Sequence, residues 1–197
     1  MNHYAKFWQR CGALFIDGLV FLPLMVFEGW LESHSRIVAF VLVIPMAAVF
    51  VGYSIYGHGR FGQTVGKHLM GIRVVRLTGE RIGWREAWLR SSVEVVFTSL
   101  GVVGSFVALA AISDAHYYGV GWMQREQNLA AHEPGWLAWS GMATEIWMWS
   151  ELVVMLLNEK RRSLHDFIAG TVVIAEGSSA VAETQPTEPC SPVRSSL

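Results

Sequence analysis

Four apolar stretches in this chain are each long enough to cross a bilayer as a helix, and they limit its fold more than any other feature. A spanning helix needs about 20 mostly apolar residues. Hydrophobic residues make up 52% of the 197 residues and charged residues 16%, against about 25% charged in an average soluble domain. This excludes a disordered chain and an ordinary soluble enzyme. We predict an all-α membrane protein with four transmembrane helices, at residues 12–30, 37–56, 93–113 and 137–158.

The basic residues predict how these four helices are oriented. All but two of the 15 Lys and Arg residues, Arg36 and Arg125, fall on one side if the chain crosses four times. Because basic loops stay in the cytoplasm, we expect both termini there, in a multi-pass protein of the cell (inner) membrane. Asp17 interrupts the first apolar stretch, so we interpret it as an uncleaved span and not as a signal peptide. The net charge of −1 gives no reason to expect a nucleic-acid partner.

The segment between the second and third spans has a pattern of its own. Residues 71–77 are rich in β-branched side chains, and the Thr-Gly turn after them predicts a small cytoplasmic hairpin with residues 80–83. The following sequence WREAWLRSS predicts an interfacial amphipathic helix on anionic lipid headgroups. The alternative is that its two Trp residues mark the cytoplasmic end of the third span. The expected lipid-contacting residues are Trp84, Arg85, Trp88 and Arg90.

Acidic residues inside the predicted spans are the first candidates for a functional site. An ionisable group within the hydrocarbon is costly unless it is paired, neutralised or hydrated, so each one is a functional hypothesis. Asp17, Glu145 and Glu151 lie well inside the spans and form our candidate intramembrane ion or proton site. The alternative for Asp17 is a buried polar link between helices. Glu94 follows Arg90 by four residues, and we expect the two to form a surface ion pair.

No pattern of residues indicates an enzyme, a cofactor site or a metal site. The chain lacks a Walker loop, a GxSxG nucleophile motif and an HExxH pair. Its two cysteines, Cys11 and Cys190, lie too far apart in sequence to suggest a metal-ligand pair. Residues 176–197 are rich in Ser, Pro, Thr and Glu, which predicts a disordered cytoplasmic tail.

Three segments together resemble the RDD family of small membrane proteins, which is named after one Arg and two Asp. The segments are FWQRCGALFID, GQTVGKHLMGIRVVRLTGERIGWREAWLRS and KRRSLHDFIAGTVVI. In this resemblance Arg10 is the family Arg, Asp17 the first Asp and Asp166 the second, and the membrane domain covers residues 5–175. The family implies a polytopic inner-membrane protein for which transport has been suggested, with some members linked to sodium–proton exchange. Taking the segments together, we expect residues 71–77 to pair with 170–175 in a small sheet that places Asp166 near Arg10.

Two functions remain open from the sequence. The first is transport of a cation or another small ligand, with possible coupling to protons, which would require a homo-oligomer because four spans make a thin wall. The second is a non-transporting scaffold or accessory subunit whose Arg and Asp residues hold a membrane assembly together. Its partner would be a second membrane protein, and the basic, Trp-bearing cytoplasmic segment would contact anionic lipid.

Overall fold

A computed structural model describes residues 4–176, which form a helical bundle with a small sheet at one end. The predicted tail lies almost entirely outside the described residues. The helices are α1 (Phe7–His34), α2 (Arg36–Tyr56), α3 (Val65–Leu69), α4 (Trp84–Ala111), α5 (Asp114–Tyr117), α6 (Trp122–Ala131), α7 (Gly135–Leu157) and α8 (Leu164–Ala169). The strands are β1 (Ile72–Arg76) and β2 (Thr171–Ala175), and a π-helical turn, Gly57–Phe61, extends α2.

Three of the described helices are long and apolar enough to cross a membrane. They are α1, α2 with its π-helical extension, and α4, and they correspond to the first three predicted spans. Both α1 and α4 contain 28 residues, which at 1.5 Å per residue is about 42 Å and exceeds the hydrocarbon thickness of about 30 Å. Their ends therefore extend beyond the apolar layer, where polar side chains can meet headgroups or water.

The fourth predicted span coincides with α7, but α7 does not meet the same criterion of apolarity. It is a continuous helix of 23 residues, long enough to cross a bilayer. Its Glu, Ser, Thr and Trp side chains keep it below the mean hydropathy that marks the other three as candidate spans. It packs against α4 and α8, and a Cβ atom on Gly104 of α4 would lie 2.3 Å from Leu137 of α7. A small residue in α4 thus allows these two helices to approach closely.

The expected separate interfacial helix is absent from this part of the chain. Trp84 begins α4, which continues without a break to Ala111. No Gly or Pro occurs between Trp84 and Ser92 to interrupt the helix. The segment with the two Trp residues is therefore the first turns of α4, as the alternative interpretation held.

The predicted pairing of the two strand-like segments is confirmed. Strands β1 and β2 run antiparallel, with Val74 opposite Val173 and Arg76 opposite Thr171. The expected hairpin within residues 71–83 is reduced to a single bridge between Val75 and Arg81. On that edge of β1 the Val74 N–H donates to the carbonyl oxygen of Gly62 at 2.9 Å, so the returning segment pairs only near the turn. We call the end of the bundle that carries this sheet the sheet end.

Helix α3 lies unusually close to α1. A Cβ atom on Gly66 would lie 2.1 Å from the carbonyl oxygen of Ala13 and 2.9 Å from the carboxyl carbon of Asp17. The nearest atom belongs to the backbone of α1, so it cannot move aside as a flexible side chain would. Only glycine at position 66 allows this approach, which brings the start of α3 to Asp17.

We predict that Gly66→Ala destabilises the folded protein. Inserting a methyl group into a filled space costs about 1–3 kcal/mol, so the melting temperature in detergent should fall. Gly101→Ala is the matched control, because a Cβ atom there meets nothing within 4 Å. Equal melting temperatures for Gly66→Ala and the wild type would contradict the close contact between α1 and α3.

Candidate functional site

Asp166 is fully buried and holds two arginines from different helices. Its Oδ2 accepts a hydrogen bond from Arg10 Nη1 at 2.9 Å, and its Oδ1 pairs with Arg90 Nη1. Oδ2 also accepts from the backbone N–H and the hydroxyl of Ser163, at 3.1 and 3.0 Å, and Oδ1 accepts from the Thr171 hydroxyl at 3.2 Å. The expected proximity of Arg10 and Asp166 is therefore present, and every oxygen lone pair of this carboxylate has a donor to use.

The local sequence explains how Asp166 reaches this position. Ser163 caps the N-terminus of α8, and Asp166 at the third helical position bonds back to the Ser163 N–H in a reciprocal capping box. The helix ends at Gly170, whose φ of +66° lets the chain reverse into β2. A helix of six residues thus places the carboxylate between the ends of α1 and α4.

The charge of Asp166 is fixed. Burial alone would raise the pKa of its carboxyl, but Arg90 and Arg10 together hold that pKa well below its usual range. The carboxylate therefore stays ionised at physiological pH, and the group of Arg10, Arg90 and Asp166 acts as a permanent ionic link between helices.

Arg90 was expected at the lipid headgroups, and this expectation is wrong. Arg90 is only 6% exposed, because Nη1 bonds both Asp166 and the Thr171 hydroxyl, the latter at 2.6 Å. The expected ion pair with Glu94 does not form either. Arg85 is exposed, as are Trp84 at 50% and Trp88 at 55%, so these three remain available to lipid.

Asp17 lies in a second and separate cluster. Its Oδ1 accepts hydrogen bonds from the Tyr53 hydroxyl at 2.6 Å and the Gly66 N–H at 2.7 Å, and its Oδ2 accepts from the Thr64 hydroxyl at 2.6 Å. Asp17 forms no ion pair with Arg10 among the described residues. The carboxylate instead ties α1 to α2 and to the start of α3, which is the alternative considered for it.

A cavity of about 810 Å³ lies between α1, α2, α4 and α7, toward the sheet end. Its wall farther from the sheet is mostly apolar and includes Phe21, Phe50, Phe97 and Leu152. The polar residues that line it share a position near the sheet end: Arg10, Asp17, Ser54, His58, Thr64, Lys67, Arg90, Glu94, Glu151, Ser163 and His165. The cavity is open to the outside and has members of both charged clusters along its wall.

Lys67 enters this cavity without a carboxylate partner within ion-pair distance among the described residues. Its Nζ lies 2.5 Å from Nε2 of His58, and Nδ1 of His58 lies 2.7 Å from the carbonyl oxygen of Ser54. Nδ1 must therefore carry the proton, which leaves Nε2 to accept from Lys67. Burial and the neighbouring Arg90 lower the pKa of Lys67 to about 7, so its charge changes near neutral pH.

The predicted acids of α7 separate in the structure. Glu151 lines the cavity and pairs with Nδ1 of His165, whose pKa is lowered by burial and by Arg90 despite this partner. Glu145, six residues earlier, is exposed on the outside of the bundle. Of the proposed intramembrane set, Asp17 and Glu151 therefore line the cavity and Glu145 does not. No group of three or more His, Cys, Asp or Glu within residues 4–176 is arranged to hold a metal ion.

A second cavity, of about 880 Å³, lies toward the opposite end of the bundle. Four Glu side chains and no Lys or Arg line it: Glu28, Glu32, Glu126 and Glu133. Outside the spans, burial and the neighbouring Glu126 raise the pKa of Glu133. Met25 and Thr98 line both cavities, so the two spaces meet at these side chains in the middle of the bundle.

Sequence reasoning missed three residues of the cavity: His58, Lys67 and Glu94. No sequence motif marks Lys67, since the chain lacks a Walker loop, and Glu94 is expected only in a surface ion pair. The spacing of Arg90 and Glu94 does place both on one face of α4. This spacing shows that the two side chains project from the same face of α4, but it does not show that this face is directed toward the bundle interior.

We predict that Asp166→Asn removes most of the folded protein. Leaving two buried guanidinium groups without their carboxylate should cost about 3–5 kcal/mol, which would be measured as a lower melting temperature and a lower monodisperse yield in detergent. The matched control is Asp114→Asn, because Asp114 is exposed and pairs with Arg36 at the surface, where a pair contributes about 1 kcal/mol or less. If both variants melt alike, Asp166 is not the link described above.

Comparison with known proteins assigns the chain to a family. No curated protein matches it closely. A family model described as the RDD family matches residues 4–170, which is most of the chain and includes Arg10, Asp17 and Asp166. The chain therefore belongs to the RDD family and is a membrane protein.

Proposed function

We propose that this protein transports a small monovalent cation across the membrane in exchange for protons. The observation that carries the proposal is the pair of cavities that approach from opposite ends of the bundle and meet at Met25 and Thr98. Such an arrangement suits a carrier that opens to one side at a time, because only a thin layer of side chains separates the two spaces.

The balance of charge around the sheet-end cavity favours a cation over an anion. Four carboxylates, counting Asp166 behind Arg10 and Arg90, are matched by three basic side chains when Lys67 is protonated and His165, whose pKa is lowered by burial and by Arg90, is neutral. An uncompensated charge in a low-dielectric interior is costly. One bound cation or one additional proton would balance the group: Arg10, Asp17, Lys67, Arg90, Glu94, Glu151 and Asp166.

The opposite cavity supports the same ligand charge. Four Glu residues line it, and the one basic side chain beside them within the described residues is the buried Arg125, which lies 3.8 Å from Glu126. Acidic walls raise the local concentration of cations and repel anions. A cation therefore meets a favourable potential at that end and an acid-rich cavity toward the sheet end.

The membrane arrangement is part of the proposal. We propose that α7 is the fourth span, because it forms the wall of the sheet-end cavity beside α4 and Glu151 belongs to it. Four crossings place the sheet and both chain ends in the cytoplasm of the inner membrane, in agreement with the distribution of Lys and Arg. Trp84, Arg85 and Trp88 are then exposed at the anionic cytoplasmic leaflet, and a homo-oligomer would thicken the wall around the cavities.

Flux in sealed proteoliposomes tests this function. With a pH-sensitive dye inside, an imposed Na⁺ or K⁺ gradient should move protons in the opposite direction, and choline should not replace the metal ion. Liposomes without protein and liposomes with Asp166→Asn, if it incorporates, provide the background. Wild-type protein that is folded and incorporated but gives no flux with either ion would contradict the proposal.

The charge of Lys67 predicts how transport depends on pH. Because the pKa of Lys67 is lowered to about 7, the side chain is charged below that pH and neutral above it. The positive charge opposes a cation in the cavity, so the initial rate, measured at equal pH on both sides, should rise as pH increases through about 7.

Two substitutions distinguish the titration of Lys67 from the titration of other groups as the cause of this pH dependence. Lys67→Met should raise the rate at pH 6 and remove the step near pH 7, whereas Lys67→Arg should keep the rate low throughout. The control is Lys160→Met, because Lys160 is exposed after α7. An unchanged pH profile in both Lys67 variants would show that Lys67 does not face the transported ion.

A scaffold or accessory subunit remains the second candidate, and one observation favours it. All three family-motif charges, Arg10, Asp17 and Asp166, are engaged in contacts that hold helices together. This function predicts no flux from folded wild-type protein and a specific membrane partner recovered in detergent. It also predicts that loss of Asp17 lowers assembly without affecting any transport.

A further inference from the structure

We propose that Glu94 is the carboxylate that binds the transported cation and that the cation displaces a proton from it. This inference rests on the proposed function and names the binding group within it. Glu94 lies in the third turn of α4 and lines the sheet-end cavity. Nothing in the sequence motifs of the family segments singles it out.

The other three carboxylates of the cavity group are already occupied by fixed partners. Asp17 accepts three hydrogen bonds, Glu151 pairs with His165, and Asp166 pairs with Arg10 and Arg90. A cation that bound any of them would have to displace these donors. Exchange at such a site would also loosen the contacts between helices.

Glu94, by contrast, forms no ion pair within the described part of the chain. Its natural partner would be Arg90, one helical turn earlier. That guanidinium is directed instead to Asp166 and Thr171. The link that holds the bundle together thus leaves the carboxylate of Glu94 without an ion-pair partner, and the positive charge that acts on it across the cavity is that of Lys67.

Several hydroxyl oxygens line the same part of the cavity as Glu94. The hydroxyl of Ser54 on α2 is its polar neighbour, and Ser54 Oγ lies 3.3 Å from Ser91 Oγ on α4. Thr98 follows Glu94 by one turn on the same helix and lines both cavities. Carboxylate and hydroxyl oxygens are ligands for hard cations, so these groups suit a desolvated alkali-metal ion such as Na⁺.

Glu94 also lies close to the point where the two cavities meet. Thr98 stands where the two cavities meet, and Glu94 lies one turn from it toward the sheet end. A cation bound at Glu94 in the sheet-end cavity therefore lies one helical turn from the side chain that both cavities share. This is the place at which a carrier needs its binding site.

The exchange balances in atoms and charge. Protonated Glu94 releases its proton to water in the cavity, and the resulting carboxylate binds one M⁺, so one H⁺ leaves for each M⁺ that enters. The cavity group then has the same total charge before and after the exchange. The charged and titratable groups that face this space from the surrounding elements are Arg10, Cys11, Asp17, Tyr53, His58, Lys67, Arg90, Glu151 and His165.

Proton release by the purified full-length protein tests the assignment. In weakly buffered detergent micelles with a pH indicator, NaCl or KCl should cause wild-type protein to release protons, and choline chloride should not. Glu94→Gln should abolish the release while its melting temperature stays close to that of the wild type. The matched control is Glu145→Gln, because Glu145 is exposed outside the bundle; it should release protons as the wild type does.

Two further variants keep the test decisive if Glu94→Gln folds poorly. Glu94→Asp keeps the negative charge on a side chain that is one methylene group shorter, and Thr98→Val removes only the hydroxyl group. Each should move the half-maximal salt concentration upward by about tenfold, the effect of one weakened ligand. Proton release from Glu94→Gln at the wild-type level, or a wild-type protein that releases no proton, overturns the assignment.

Proteoliposome flux separates failure of this assignment from failure of the proposed function. If the wild type and Glu94→Gln both exchange cations for protons, transport stands and Glu94 is not its binding residue. If folded wild-type protein neither transports nor releases protons, both proposals fall. Loss of flux only in Glu94→Gln supports both.

Discussion

The buried carboxylate of Asp166 is the interaction on which the rest of this structure depends. It connects the first turns of α1, through Arg10, to the second turn of α4, through Arg90, and it is itself fixed at the start of α8 by Ser163. A charge without solvent is tolerated only where partners surround it. The two arginines and the acid therefore require one another, and the sheet of β1 and β2 is held in place beside them.

The ionisable side chains named above differ in whether they have fixed partners. The charges of the family motif, Arg10, Asp17 and Asp166, are saturated by fixed contacts and define the framework. Lys67 and Glu94 lack ion pairs in the described residues and line the sheet-end cavity. Groups without fixed partners can exchange protons or ions without unfolding the protein, so any exchange chemistry belongs to this second set.

The sequence predicts the framework better than the cavity. Length and apolarity locate α1, α2 and α4, and the resemblance to the RDD family led correctly to the pairing of the two strands and to the contact between Arg10 and Asp166. The role of Arg90 could not be predicted from its neighbours. Its local pattern, with Trp84 and Trp88 before it, is that of a membrane interface, and the residue that captures it lies 76 positions away.

The same distance effect explains the missed cavity residues. A lysine in a short helix and a glutamate four residues after an arginine are ordinary surface patterns. Only the folded structure distinguishes these two residues from ordinary surface residues. Helix α3 lies against α1 at Gly66, and Asp166 binds the Arg90 side chain that would otherwise be free to pair with Glu94. A similar effect hides α7 from a hydropathy search. Glu151 faces the cavity and pairs with His165, yet it lowers the mean hydropathy by which a spanning helix is recognised.

Equilibrium dialysis of the purified protein against radioactive Na⁺ or Rb⁺ is the most direct test of the central claim, that the cavity group lacks one positive charge. The account predicts saturable binding that strengthens as pH rises through about 7, the pKa of Lys67, and that excess choline does not compete. Absence of saturable binding to folded protein at every pH between 6 and 9 would contradict it.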